Sequence, residues 1–172
     1  MRARRAPGIG AIVVLIAAAA LLVLQSTADD EGDRPAGPGG TESARVLRVV
    51  DGDTVEVSLG GAVEDVRYIG IDTPESVKPG EPVECFGHQA AALNERLVAG
   101  RTVELEFDAE RRDAYGRLLA YVRVGPLLVN AELVRRGYAR TLTIPPNDSH
   151  ADTFARLEHR AGRLGKGLWA SC

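Results

Sequence analysis

Apolar and polar residues alternate along three short stretches between residues 45 and 71, and this pattern predicts consecutive β-strands. TVEVSL at 54–59 has the two-residue period of a strand that buries one face. RVLRVV at 45–50 and AVEDVRYIGI at 62–71 flank it, and an Asp-Gly pair and a Gly-Gly pair mark the two turns. The pattern therefore predicts a β-meander.

The remainder predicts three helices and two further strands. The first helix is GHQAAALNERLVAG at 87–100, with Ala91, Leu93, Leu97 and Val98 on its apolar face. The other elements are strands TVELEF (102–107) and RLLAYVRV (117–124), and helices NAELVRRG (130–137) and DTFARLEHRAGRLG (152–165), the last capped near Asp148 or Ser149. A five-stranded barrel with a helix between its third and fourth strands is the plan of an OB-fold, so we expect a mainly β, α+β domain.

The N-terminus differs in composition from the rest of the chain. Residues 1–28 place arginines before an apolar run at 9–24, which is typical of a signal peptide but also of a short membrane anchor. Residues 29–44 are acidic and rich in Gly and Pro, which predicts a flexible linker. We therefore expect an exported protein, secreted or anchored to the outer face of the cytoplasmic membrane, with its folded domain at 45–172.

Charge and cysteine content limit the possible functions. The net charge of the 172-residue chain is −3, whereas proteins that bind duplex DNA through bulk charge are usually basic. The two cysteines, Cys85 and Cys172, would meet an oxidising compartment after export. One disulfide between them is expected, with two free thiols as the alternative.

Three polar clusters interrupt the predicted elements. Each alone is typical of a turn or a solvated strand end, so no cluster identifies a site by itself. The clusters comprise Asp51 and Asp53 in DGDT; Arg67 with Asp72, Thr73 and Glu75 in VRYIGIDTPE; and Asp113, Tyr115 and Arg117 in DAYGR. Oxygen donors without a Cys or His cluster favour Ca²⁺ or Mg²⁺, and arginine matches phosphate oxygens two at a time. A cation, two arginines and a spare carboxylate together favour phosphodiester hydrolysis.

In this order and spacing the motifs resemble the staphylococcal nuclease (thermonuclease) family over residues 45–172. The resemblance is carried by DGDT, VRYIGIDTPE, ECFGHQA, DAYGRLLAYV, VNAELVRRGYA and the terminal GLW. It implies a calcium-dependent nuclease on an OB-fold that cleaves single-stranded DNA and RNA and leaves 3′-phosphate ends.

The resemblance also implies roles for individual residues in catalysis. Arg67 and Arg117 match the two arginines that contact the scissile phosphate. Glu75 matches the glutamate that positions or activates the attacking water. Tyr115 matches a tyrosine whose hydroxyl contacts a terminal phosphate, and Asp113 would support the loop that carries it.

The implied metal site takes one Ca²⁺ ion. Asp53 and Asp72 match its carboxylate ligands, and Thr73 matches a ligand that acts through its backbone carbonyl. Asp51 would support the ion without binding it directly.

The chain departs from the family pattern at three positions. Ala114 and Glu81 stand where basic residues are expected, and Thr143 stands closest to a tyrosine that stacks on a base. Because aromatic stacking contributes about 1–3 kcal/mol per base, we expect weaker substrate binding. The alternative is a non-catalytic OB module that binds nucleic acid or protein at the cell surface. We expect a monomer, with membrane contact possible only through residues 9–24.

Overall fold

The computed structural model describes residues 39–76, 80 and 82–172. The chain divides into a unit at residues 1–34, which lies outside the described residues, and a compact unit at residues 35–172. The predicted leader, its apolar run and residues 29–38 of the predicted linker therefore also lie outside them. None of the described helices combines the length and the apolar composition needed to cross a membrane.

The described part contains eight strands and four helices in the order β1-β2-β3-β4-α1-β5-β6-β7-α2-β8-α3-α4. The strands are β1 (Thr41–Val49), β2 (Thr54–Leu59), β3 (Ala62–Tyr68), β4 (Gly70–Asp72), β5 (Thr102–Glu106), β6 (Leu118–Val124), β7 (Leu127–Leu128) and β8 (Arg140–Leu142). The helices are α1 (Gly87–Val98), α2 (Val129–Arg136), α3 (Ala151–Arg163) and α4 (Leu168–Ser171).

A closed barrel forms the centre of the domain. The main sheet has the order β3-β2-β1-β5-β6-β7, and a parallel pairing of β3 with β6 closes it into a barrel of five strands, β1, β2, β3, β5 and β6. The other pairs in this sheet are antiparallel. The predicted OB-fold barrel with three longer helices is therefore confirmed.

The predicted third strand is interrupted at Ile69. Its amide donates to the carbonyl of Ala120 on β6, and the chain then turns at Gly70, where φ is +79°. A Cβ atom on Gly70 would lie 2.7 Å from the ring of Phe154 on α3, so only glycine allows this approach. Beyond the turn, β4 leaves the barrel and pairs with β8. The strands β7 and β8, of two and three residues, are too short to give a periodic signal and were missed.

Two predicted boundaries are corrected. Strand β1 begins at Thr41 rather than at Arg45, because residues 41–45 pair with β5 across the sheet. Residues 41–44 therefore belong to the sheet and not to the linker. His150, and not Asp148 or Ser149, occupies the N-cap position of helix α3, and its side chain makes no capping hydrogen bond. The Ser149 hydroxyl donates to Asp108.

Asn130 on α2 connects the helix to two parts of the barrel. It is fully buried, its Oδ1 accepts the Val122 amide at 2.9 Å, and its Nδ2 donates to the Ile69 carbonyl at 2.9 Å. These two bonds tie the helix to β6 and to the residue that follows β3. Asn130 thereby fixes the point at which β3 ends and the chain turns towards the acidic residues that follow.

We predict that Asn130→Ala lowers the free energy of unfolding by about 2–4 kcal/mol, because a buried N–H and a buried C=O each lose their partner. Asn130→Asp keeps the acceptor for Val122 but loses the donor to Ile69, so it should also destabilise the domain. Urea unfolding of the full chain measures both effects. A change within about 0.5 kcal/mol, the usual range of surface substitutions, would contradict this role.

Candidate active site

The side chain of Asp53 lies buried where β2 begins. It is 1% exposed, and its Oδ2 accepts hydrogen bonds from the Thr73 amide at 2.7 Å and the Thr73 hydroxyl at 2.9 Å. Its Oδ1 forms an ion pair with Nη1 of Arg67. Because a buried carboxylate is costly unless it is paired and hydrogen-bonded, these contacts fix Asp53, Thr73 and Arg67 relative to one another.

Arg67 connects two of the predicted metal carboxylates. While its Nη1 pairs with Asp53, its Nη2 lies 2.7 Å from Oδ1 of Asp72, at the end of β4. Nη2 also donates to the Ile71 carbonyl at 3.4 Å. Arg67 is only 19% exposed, whereas Asp72 is 56% exposed. The guanidinium therefore pairs with both carboxylates in this structure, and its single positive charge balances one of their two negative charges.

Asp51 is held by helix α1. Its Oδ1 accepts the Asp53 amide at 2.9 Å, and its carbonyl accepts Nδ2 of the buried Asn94 at 3.0 Å. The Tyr68 hydroxyl donates in turn to Oδ1 of Asn94 at 3.0 Å. Burial raises the pKa of Asp51 above its ordinary value, and the positive charge of Arg67 opposes that shift. Burial also raises the pKa of Tyr68, so this tyrosine stays protonated and donates.

Glu75 follows β4, and its backbone contacts the start of α1. Its carbonyl lies so close to Gly87 that a Cβ atom there would be 2.5 Å away. The Glu75 amide donates to Oε2 of Glu84 at 3.0 Å, and the Glu84 amide donates back to the Glu75 carbonyl at 2.9 Å. One oxygen of the Glu75 carboxylate, Oε1, accepts the Ser76 amide at 2.9 Å. Glu75 is thus held through its main chain.

Asp113 holds the loop that precedes β6. Its Oδ1 accepts the amides of Tyr115 and Arg117 at 2.9 Å each, and its Oδ2 accepts Nε of Arg117 at 2.7 Å. Burial alone would raise the pKa of Asp113, but the hydrogen bonds and charge of Arg117 outweigh it and lower the pKa below its ordinary value. Tyr115 is 87% exposed at the tip of this loop.

All seven of the predicted catalytic and metal residues line one pocket of about 230 Å³. The lining is formed by Asp51, Asp53, Thr54, Arg67, Asp72, Thr73, Glu75 and Arg117. Arg67 lies at the end of β3 and Arg117 immediately before β6, so the parallel pairing that closes the barrel brings the two arginines together. The pocket therefore combines two permanent cations with four carboxylates.

A second pocket of about 430 Å³ adjoins the first, and both arginines line the two pockets. Tyr115 and Asp113, the predicted substrate residues, line it together with Leu142 and Ile144. Thr143 is the residue closest in sequence to the position where the family has a stacking tyrosine, and it does not line this pocket. Its two neighbours line the pocket instead, so this part of the surface is aliphatic where the family pattern has a tyrosine.

The donor set suits a hard cation. In the part of the chain that the structure describes, no group of three or more His, Cys, Asp and Glu side chains is arranged to hold a metal ion. The predicted ligand set contains only two carboxylates, Asp53 and Asp72, together with the Thr73 carbonyl. Both carboxylates already contact one cation, the Arg67 guanidinium. All three donors are oxygens, which Ca²⁺ and Mg²⁺ prefer.

Sequence reasoning missed Asn94 and Glu84. Asn94 lies on the buried face of α1 beside Leu93 and Val98, and a polar residue on an apolar helix face is a signal that could have been read. Glu84 lies in a segment without helix or strand, and nothing in its local sequence indicates that it contacts Glu75.

A pocket with two arginines and several carboxylates at the edge of an OB-fold barrel is typical of enzymes that hydrolyse phosphate esters. Comparison with known proteins gives a closer assignment. The family described as staphylococcal nuclease homologue matches residues 65–171. This chain therefore belongs to the staphylococcal nuclease family.

Three relatives illustrate the similarity. The thermonuclease of Staphylococcus hyicus is 33% identical over 162 residues, which cover 93% of this chain and 96% of the relative. The thermonuclease of Staphylococcus intermedius is 36% identical over 162 residues, covering 92% and 95%. Endonuclease YncB of Bacillus subtilis (strain 168) is 40% identical over 126 residues, covering 72% and 59%. The chain is accordingly a nuclease, a phosphodiester hydrolase, and the alternative of a non-catalytic module is not supported.

We predict that Arg117→Ala raises the pKa of Asp113 towards its ordinary value of 3.8, because the variant loses the cation that stabilises the carboxylate. Because this pKa is lowered by folding, the contribution of Asp113 to stability is complete above pH 3.8 and is lost as pH falls through the folded-state pKa. Carboxyl NMR titration measures the shift. Asp108 is the internal control, since its lowered pKa depends on Ser149 and Tyr121 and should not move. An unchanged Asp113 pKa would contradict the assignment.

Proposed function

We propose that the chain is a calcium-dependent nuclease that hydrolyses phosphodiester bonds in single-stranded DNA and RNA and leaves 3′-phosphate ends. The observation that carries the proposal is the shared pocket of Arg67, Arg117 and Glu75 beside Asp53 and Asp72. A pure binding site would use the arginines but has no need of a carboxylate that orients water.

The two arginines bind the scissile phosphate. Arg117 is aimed by Asp113, and Arg67 is aimed by Asp53, so both guanidiniums are oriented before the substrate enters. Each offers paired N–H donors to non-bridging phosphate oxygens, and their charge stabilises the negative charge that increases as the phosphorus becomes five-coordinate.

Glu75 orients the attacking water. Its carboxylate lines the same pocket as the arginines and accepts a proton as the water oxygen bonds to phosphorus. The bond from phosphorus to the 5′-oxygen breaks on the opposite side, and that oxygen takes up a proton from the surrounding water as it leaves. The phosphate remains on the 3′-oxygen of the other fragment.

Asp53, Asp72 and the Thr73 carbonyl would hold the calcium ion, with Asp51 as support. The ion supplies positive charge beside the phosphate. Arg67 pairs with both carboxylates in this structure, so the residues that would hold the ion already attract a cation.

The exposed surface of the second pocket supports single strands as substrate. Tyr115, Leu142 and Ile144 are 87%, 40% and 62% exposed, and they adjoin the pocket that contains the two arginines. Unpaired bases can lie against such a surface, whereas paired bases in a duplex cannot. Aliphatic contacts give little preference for one base over another.

The full chain should cleave a single-stranded DNA oligonucleotide in the presence of calcium, and cleavage should stop when the calcium is chelated. Mass spectrometry should find 3′-phosphates on the products. Glu75→Ala, Arg67→Ala and Arg117→Ala should each lower turnover about a hundred-fold or more, as loss of a transition-state contact does.

Matched controls for this experiment are Arg101→Ala and Glu104→Ala, which remove exposed charges outside both pockets. Each should retain the unmodified rate. Near-normal turnover in Glu75→Ala, with the melting temperature unchanged, would contradict the mechanism, and cleavage that persists without calcium would contradict the metal requirement.

Calcium binding should weaken at least about ten-fold in Asp72→Ala, which loses a direct carboxylate ligand. Asp72 is 56% exposed, so the fold should tolerate the change. Titration calorimetry of the full chain without nucleic acid measures the affinity independently of turnover. Asp65→Ala removes an exposed carboxylate from the neighbouring strand β3 and is the control. Equal affinities in the two variants would contradict the assigned ligand set.

A further inference from the structure

The disulfide between Cys85 and Cys172 joins two segments that are 87 residues apart in sequence. Cys172 follows α4 at the end of the sequence, and Cys85 stands two residues before the start of α1. Both half-cystines are exposed. The bridge confirms the predicted pairing, and its position raises the question of what it holds in place.

The segment next to Cys85 contacts the backbone of Glu75. Glu84 accepts the Glu75 amide through its carboxylate and donates its own amide to the Glu75 carbonyl, at 3.0 and 2.9 Å. The Glu84 carbonyl accepts the amide of Gly87, the first residue of α1. These bonds place Glu84 between Glu75 and the helix.

Phe86, on the other side of Cys85, has an unusual backbone. Its φ is +74°, and it is the one non-glycine residue with a positive φ in the described ranges. L-residues avoid this conformation unless their surroundings impose it. Its ring contacts the ring of Tyr138 edge-on, with centroids 4.9 Å apart. That ring contact and the neighbouring disulfide hold the segment in this conformation.

The other end of the disulfide is firmly attached to the domain. The Leu168 amide donates to the Gly137 carbonyl at 2.8 Å, and Leu168 is 3% exposed. The Cys172 amide donates to the Leu168 carbonyl at 3.0 Å. The Arg140 guanidinium lies 4.5 Å from the centre of the Trp169 ring. Cys172 therefore extends from an anchored helix and gives Cys85 a fixed partner.

We propose that Glu84 is a positioning residue for Glu75 and that the Cys85–Cys172 disulfide keeps Glu84 in position. This inference rests on the proposed function of Glu75 in orienting water. The bridge fixes the segment from Glu84 to Phe86, and Glu84 fixes the Glu75 main chain from which the carboxylate extends. Since a displacement of about 1 Å can cost a hundred-fold in rate, this support determines turnover.

The test compares kcat and KM of the full chain with those of Glu84→Ala, Glu84→Gln and the double variant C85S/C172S on the single-stranded oligonucleotide. Glu84→Ala and C85S/C172S should each lower kcat about ten-fold, with KM within about two-fold, because phosphate binding by the arginines is untouched. Glu84→Gln should keep near-normal kcat, since its amide oxygen still accepts the Glu75 amide. A purely electrostatic role of Glu84 would instead be lost in the Gln variant.

Combining Glu84→Ala with C85S/C172S should lower kcat by less than the product of the two separate effects, because both changes weaken the same attachment of Glu84 to Glu75. Reducing the full-length protein with dithiothreitol, which converts the bridge to two thiols, should reproduce the double variant and leave that variant unaffected. Leu133→Ala removes most of a fully buried side chain on α2, and it is the control for effects that come only from reduced stability of the fold. Assayed well below its melting temperature, it should keep kcat.

The outcomes separate the two proposals. If Glu75→Ala is inactive while Glu84→Ala or C85S/C172S keeps the kcat of the unmodified chain, the positioning role is overturned and the proposed function stands. If Glu75→Ala turns over normally, the proposed function fails. The Glu84 variants leave the disulfide intact, so they decide the question even if the cysteine variants do not fold.

Discussion

The burial of one negative charge, the Asp53 carboxylate, sets the arrangement of the site. At 1% exposure it cannot be hydrated, so the protein must supply its partners. Thr73 supplies two donors and Arg67 a cation. These residues come from the loop after β4 and the end of β3, so satisfying this carboxylate brings three separate parts of the chain together.

Helix α1 extends that arrangement. Asn94 holds the Asp51 carbonyl, and Gly87, at the helix start, packs against the Glu75 carbonyl. The helix thus sets the distance between the acidic residues before β2 and the glutamate after β4. The arginines belong to the barrel, whereas the helix and the segment before it position the carboxylates.

The barrel strands and longer helices could be predicted because their apolar periodicity is local, as in TVEVSL of β2. The nine candidate site residues came from motif order and resemblance, and one pocket brings together Arg67, Arg117 and Glu75 among them. Glu84, β8 and the aliphatic surface of Leu142 and Ile144 could not be predicted. They depend on contacts between distant segments or on elements too short to show a period.

The parallel pairing of β3 with β6 determines when the pocket can form during folding. It joins strands about fifty residues apart in sequence, which is a late and slow kind of contact in folding. Until it forms, Arg67 and Arg117 belong to separate parts of the chain. A chain whose barrel is still open therefore lacks the pair of arginines, so the pocket that they line is complete only once the barrel has closed.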